Sequence, residues 1–145
     1  MHRSRKRGFT LIEIMIVILI IGLLLSILLP NLVYSKYQAQ WTACGQYERT
    51  IAAALESYHA QEGSYPANLA QLTATSPVYI NILPTCPSNG ASYASTYVPG
   101  QTSSGSLVYD AYTLSCPGTH YLQIRGVQQG FPQYTPSNGL ALWGN

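Results

Sequence analysis

The most constraining feature of this chain is its apolar N-terminal run. From Phe9 to Leu29 there are 21 residues with one formal charge, Glu13, and the stretch Ile14–Leu29 has no strong polar group except Ser26. At about 1.5 Å per residue, a helix of that length spans a bilayer core of roughly 30 Å. Four of the seven basic residues (Arg3, Arg5, Lys6 and Arg7) precede it, and the fifteen residues that follow Leu29 contain only Lys36. The positive-inside rule then places residues 1–7 in the cytoplasm and the chain beyond about residue 33 outside it. A cleaved secretory signal fits less well. The run is long for an h-region, and Val33-Tyr34-Ser35 is a poor cleavage site.

Composition agrees with a chain that does not diffuse freely. The sequence is 47% hydrophobic and only 8% charged, where soluble domains carry charge on about a quarter of their residues. Disorder is excluded, because 12 Tyr, 2 Trp and 2 Phe are far more aromatic content than disordered chains hold. Beyond the first seven residues the only cations are Lys36, Arg49 and Arg125, so a basic field able to hold nucleic acid is not expected.

Glu13 needs an explanation, since a carboxylate at membrane depth costs a few kcal/mol and requires a partner or a function. Here Arg7-Gly8-Phe9-Thr10-Leu11-Ile12-Glu13 resembles the cleavage and methylation motif of type IV pilins and type II secretion pseudopilins. The likeness extends over residues 5–33 and includes Gly22 and Pro30. It implies cutting between Gly8 and Phe9 by a prepilin peptidase, then N-methylation of Phe9. It also implies an assembly role for Glu13, which would neutralise the Phe9 amine of a neighbouring subunit. Cleavage would remove the four leader cations and leave three basic and five acidic side chains, a net of −2. An unpaired buried charge is costly and a paired one tolerable, so the pair would set register. Pro30 deprives the Ser26 carbonyl of its donor and crowds that turn, and Gly22 has low helix propensity. In the resembling family such positions give the helix flexibility.

Residues 31–62 contain no Pro and no strong breaker apart from Gly45. Tyr37, Trp41, Cys44, Ile51, Leu55 and Tyr58 recur at helical spacing and predict an amphipathic stripe. Glu48 interrupts it by one place and is expected, with Arg49, Glu56 and Glu62, to lie largely off the buried face. Gly63 and Pro66 end the helix. The expected organisation is a leader at 1–8, a hydrophobic transmembrane or filament-core helix at 9–33, an amphipathic helix at 34–62 and a β domain at 64–145. In the last, a short helical turn is predicted at Ala67–Leu72. Strands are predicted at Ser92–Val98, Leu107–Ser115 and Thr119–Arg125, with a hairpin loop at 101–106 and a coil at 130–145 ending in the apolar patch Leu140–Trp143. The fold class is α+β: a long N-terminal helix packed on a small antiparallel sheet, pilin-like.

Cys86 and Cys116 each precede a Pro and border a predicted strand. Outside the membrane they would be oxidised, and a bridge closing about 30 residues is worth roughly 3–4 kcal/mol by chain-entropy reasoning. The family resemblance also implies such a C-terminal staple. Cys44 reads as a small apolar core residue, with pairing to either other cysteine left open.

Other chemistries find little support. Residues 63–145 hold only two formal charges, Asp110 and Arg125, too few for the oxygen-rich shell of calcium. Major pseudopilins carry such a site, so its absence is a departure from that branch of the resemblance. No nucleophile elbow accompanies His59 or His120, and two separated histidines without a third ligand do not make a zinc site. The tyrosines read as residues of half-exposed strands with wet hydroxyls. No metal or cofactor is expected, and no enzymatic activity.

The sequence thus predicts a structural subunit of a type IV pilus-like filament, a homopolymer of identical or related subunits. Its partners would be membrane lipid before assembly, the prepilin peptidase and methyltransferase, and an inner-membrane assembly platform. It would be a precursor in the cytoplasmic membrane and an extracellular filament once assembled. The alternatives are a pseudopilin of a type II secretion or DNA-uptake system, and an uncleaved single-span anchor carrying a binding domain.

Overall fold

In the computed structural model, residues 8–101 and 109–142 are described. The chain divides into two units, Met1–Ser35 and Lys36–Asn145. The leader cations, the 101–106 hairpin loop beyond Gln101, and Trp143 lie outside the described residues.

Helix α1 runs from Leu11 to Glu62 and passes through Gly22 and Pro30 without interruption. The large apolar residues from Phe9 to Tyr34 are all exposed, and this helix is long and apolar enough to cross a membrane by length and composition. Ser26 resolves its own polarity by donating its hydroxyl to the Leu23 carbonyl at 2.7 Å, which makes a lone hydroxyl tolerable in an apolar setting.

In the second unit α1 becomes amphipathic. Trp41, Cys44, Ile51 and Leu55 are buried as the stripe predicts, and Tyr37 and Tyr58 are half-buried. Glu48, expected off the face, is instead fully buried. At one helical turn beyond Cys44 and about one turn before Ile51, it occupies the stripe's missing position. Gly45 is also buried, and a Cβ there would stand 3.3 Å from Leu140 Cδ2. The helix ends where Gly63 takes φ +76° and donates its N–H to the His59 carbonyl at 2.9 Å, a left-handed cap that suits glycine.

The helical turn expected at Ala67–Leu72 is α2, Gln71–Ala74. The sheet is antiparallel, ordered β1-β2-β3-β4, with β1 at Tyr97–Gln101, β2 at Tyr109–Ser115, β3 at Gln133–Thr135 and β4 at Gly139–Ala141. Tyr97 faces Leu114 and Pro99 faces Tyr112, and Pro99 is tolerated because β1 is an edge. Leu114 then pairs with Tyr134.

Three strand expectations are corrected. Ser92–Ser95 is a 3-10 turn rather than strand, because the Ser92 hydroxyl accepts the Ala94 N–H at 3.2 Å and offers the backbone a local partner instead of a ladder. His120–Leu122 is likewise a 3-10 turn and not part of a strand. The predicted coil at 130–145 contains the hairpin β3–β4, closed by Gly139 at φ +66°.

The core joins α1 to the sheet through Cys44, Ile51 and Leu55 against Leu69, Leu72, Tyr93, Tyr112 and Leu114. A smaller cluster groups Trp41 with Ile124 and Val127. Tyr65, Tyr93, Tyr97 and Tyr112 are buried, not half-exposed as expected. Two of their hydroxyls find carbonyls: Tyr97 donates to Pro66 at 2.7 Å and Tyr93 to Cys44 at 3.3 Å, which is how a buried phenol avoids desolvation cost.

Candidate functional site

Two regions carry chemistry. At the N-terminus, Gly8 and Phe9 precede the helix and are exposed. A Cβ on Gly8 or on Gly22 would meet no described atom within 4 Å, so neither glycine is demanded by packing within the chain. Glu13 lies in the first turn of α1, where its N–H donates to the Thr10 carbonyl at 3.1 Å and its carboxylate favours the positive end of the helix dipole. Pro30 lies in the helix interior, where no N–H is available to the Ser26 carbonyl.

The second region is buried in the unit Lys36–Asn145. Cys44 comes from α1. Cys86 opens a tight turn in which its carbonyl accepts the Gly90 N–H at 2.7 Å and its N–H donates to the Ala91 carbonyl at 2.9 Å. Cys116 follows β2, with its N–H on the Pro132 carbonyl at 3.0 Å, and His120 begins the 3-10 turn. Side-chain bonds knit the three segments together. Gln40 Nε2 on α1 donates to the Pro87 carbonyl at 3.1 Å, and Asn89 Nδ2 donates to the Pro117 carbonyl at 2.9 Å.

The result is a convergence of four buried donor atoms. Cys44 Sγ is 3.2 Å from Cys86 Sγ and from Cys116 Sγ, and 3.0 Å from His120 Nε2. Cys86 Sγ is 3.7 Å from Cys116 Sγ and 3.4 Å from His120 Nε2. All four atoms lie within 4.8 Å of one another.

All three thiols are free in the structure, and Cys86 Sγ lies 3.2 Å from Cys44 Sγ and 3.7 Å from Cys116 Sγ, so the three sulfurs form one cluster. Cys44 is buried as a core residue would be and also touches the other sulfurs and His120. His120, 1% exposed, is not a surface histidine. Sequence reasoning missed this set by weighing the histidines apart from the cysteines. The available signal was Cys116-Pro117-Gly118-Thr119-His120, whose spacing suits two ligands on one turn.

The electrostatics are uneven. Cys116 is drawn well below the ordinary thiol range, chiefly by its hydrogen bond with Cys44, helped by His120 and the Gly118 N–H against the opposing effect of burial. Cys44 moves the opposite way, raised by the same hydrogen bond and by burial. Nearby, burial pushes the Glu48 carboxyl up to about 10, with the charges of Cys116 and Cys86 adding to it. Among the described residues neither Glu48 oxygen has a hydrogen-bond partner. A cluster with one easily ionised thiol, two further sulfurs and an imidazole is suited to a soft metal ion or to thiol redox chemistry.

Comparison with known proteins bears on the first region. The "Prokaryotic N-terminal methylation motif" family matches residues 3–29. The chain is 38% identical over 74 residues to type II secretion system core protein G of Pseudomonas aeruginosa, covering 51% of this chain and 52% of that protein. It is 39% identical over 66 residues to type IV wide pilus major component PilA4 of Thermus thermophilus, covering 46% of this chain and 50% of that one. The core protein G of Escherichia coli strain K12 is 40% identical over 63 residues, 43% of each chain. This chain spans about half the length of the curated relatives it matches. No solved structure gives a significant match. With its methylation motif, apolar helix and small antiparallel sheet, the chain has a pilin-like layout and resembles the type IV pilins and type II secretion pseudopilins.

Proposed function

We propose that this chain is the structural subunit of a type IV pilus-like filament. It is made as a precursor in the cytoplasmic membrane with residues 1–7 on the cytoplasmic side, cut after Gly8 and methylated at Phe9. It then polymerises with related subunits through its N-terminal helix. The observation that carries this reading is the uncovered helix: large apolar side chains from Phe9 to Tyr34 are 45–78% exposed, a surface that requires lipid or other subunits to cover it. Glu13 places an anion at the start of that surface, and the amine freed at Phe9 supplies the cation that makes it tolerable. The prepilin peptidase and methyltransferase and an inner-membrane assembly platform act on the chain from outside, and the chain itself supplies the polymer.

A pseudopilin of a type II secretion or DNA-uptake system is the second reading, favoured by the repeated likeness to core protein G. Mass spectrometry of the N-terminal peptide, in sheared surface material and in membranes, separates the two. Methylated Phe9 at the start of the sheared peptide supports a surface filament. The same peptide confined to membranes supports a pseudopilus, and a peptide still starting at Met1 or His2 defeats both.

A further inference from the structure

We propose that Cys44, Cys86, Cys116 and His120 bind one zinc ion in a tetrahedral site that staples α1 to the Cys86 turn and to the Cys116–His120 segment. The site is independent of the N-terminal motif and of the filament reading.

The geometry is nearly that of a loaded site. With Zn–S near 2.3 Å and Zn–N near 2.0–2.1 Å, a regular tetrahedron has S···S edges of about 3.8 Å and S···N edges of about 3.6 Å. The corresponding separations here are 3.2–3.7 Å between sulfurs and 3.0–3.4 Å from Cys44 and Cys86 to the imidazole. The sixth separation, Cys116 Sγ to His120 Nε2, is within 4.8 Å, so small adjustments of the donors admit the ion. A disulfide would draw only two of the sulfurs to about 2.05 Å, leaving the third thiol and the imidazole without a role.

The donor set selects the metal. Three thiolates and one imidazole suit zinc and not calcium or magnesium, which take oxygen. Four protein ligands with no place left for water mark a structural ion, not a catalytic one. On binding, each cysteine that still holds its thiol proton releases it to solvent and the sulfurs remain unoxidised, so the step needs no electron acceptor. With three thiolates and one neutral imidazole the loaded site carries a net single negative charge.

The surroundings are built around the sulfurs. The Gly118 N–H donates to Cys116 Sγ at 3.4 Å. Ser88 Oγ lies 3.2 Å from Cys86 Sγ and accepts the Thr119 N–H at 3.4 Å. Such outer contacts orient ligands and spread thiolate charge. Gly118 must lack a side chain: a Cβ there would stand 2.5 Å from Cys86 Sγ, 2.6 Å from Ser88 Oγ and 2.9 Å from His120 Nε2. The ligands come from α1, the Cys86 turn and the Cys116–His120 segment, which lie 42 and 30 residues apart in sequence. One ion therefore ties together the parts of a small unit whose apolar core is limited.

The test uses the full chain in detergent, reduced, stripped with a chelator and titrated with Zn(II) against a chromophoric competitor. One equivalent per chain is expected, with a rise in thermal unfolding temperature that the chelator reverses. Co(II) should give the intense absorption of a tetrahedral thiolate site in the wild-type protein, a readout that needs no variant. Cys44→Ser, Cys116→Ser and His120→Ala should each weaken zinc binding by more than about tenfold, with circular dichroism confirming that the fold persists. Lack of stoichiometric binding by the reduced wild-type chain would overturn the site. So would a weak octahedral cobalt spectrum. Protein isolated from cells without metal, and lighter by two hydrogens per chain, would replace the ion with a disulfide.

Discussion

The imidazole Nε2 of His120 lies 3.0 Å from the sulfur of Cys44, although the two residues are 76 positions apart. Cys44 is fixed by a helix and His120 by a 3-10 turn, so the contact joins the most regular element of the C-terminal unit to one of its least regular. Nothing apolar is gained by placing an imidazole there, and 1% exposure would be costly without polar partners. The partners are sulfurs.

Gly118→Ala introduces a Cβ with three contacts below 3.0 Å, to Cys86 Sγ, Ser88 Oγ and His120 Nε2. Overpacking of this kind costs about 1–3 kcal/mol. A denaturation midpoint that falls by this amount, with the N-terminal cleavage unchanged, is the expected result. An unchanged midpoint would mean that the turn relaxes freely.

Glu48 sets a pH dependence. Its carboxyl is pushed up to about 10 in the folded chain, whereas an unfolded glutamate titrates near about 4.3. Between those values the folded state keeps a proton that the unfolded state has released. Stability is therefore greatest below the unfolded value and falls as pH rises toward the folded one, by no more than about 1.4 kcal/mol per pH unit. Glu48→Gln should flatten this slope between pH 5 and 9. Superimposable profiles of wild type and variant would assign the slope elsewhere.

Two buried phenols make a matched pair. Tyr97 donates its hydroxyl to the Pro66 carbonyl at 2.7 Å, while the buried Tyr112 hydroxyl has no hydrogen-bond partner among the described residues. Tyr97→Phe should cost about 1–2 kcal/mol by orphaning a carbonyl, and Tyr112→Phe should be neutral or slightly stabilising. Equal losses in thermal or chemical unfolding would contradict this assignment of the two hydroxyls.

At the N-terminus, Gly8→Val should leave full-length precursor in the membrane, since residue 8 has open space around it in the described structure and any demand for glycine comes from the peptidase. Glu13→Val should be cleaved normally yet fail in methylation or assembly. Immunoblots of precursor and mature chain, paired with filament yield from sheared cells, check both. Normal filament yield from Glu13→Val would remove its pairing role.

The N-terminal half was legible because its signals are local. An uninterrupted apolar run such as Ile14–Leu29 reads as part of one long helix, which it is, and the 3.6-residue period from Trp41 to Leu55 states which face is buried. Gly63 ends α1 because its positive φ is a backbone property of one residue. Strand β2 was equally local: Leu107–Ser115 reads as a strand in sequence, and Tyr109–Ser115 is one. Elsewhere, hydrogen bonding overrode the pattern: Ser92 captured an N–H that a strand would have used, and the segment read as coil paired as β3 and β4 because Leu114 of β2 offered Tyr134 a partner. The burial of Glu48 was hidden by its charge. Above all, only tertiary structure could bring Cys44, Cys86, Cys116 and His120 together. Beyond the short Cys116–His120 spacing nothing local marks them as a set, and they come together only where three distant segments meet within 4.8 Å.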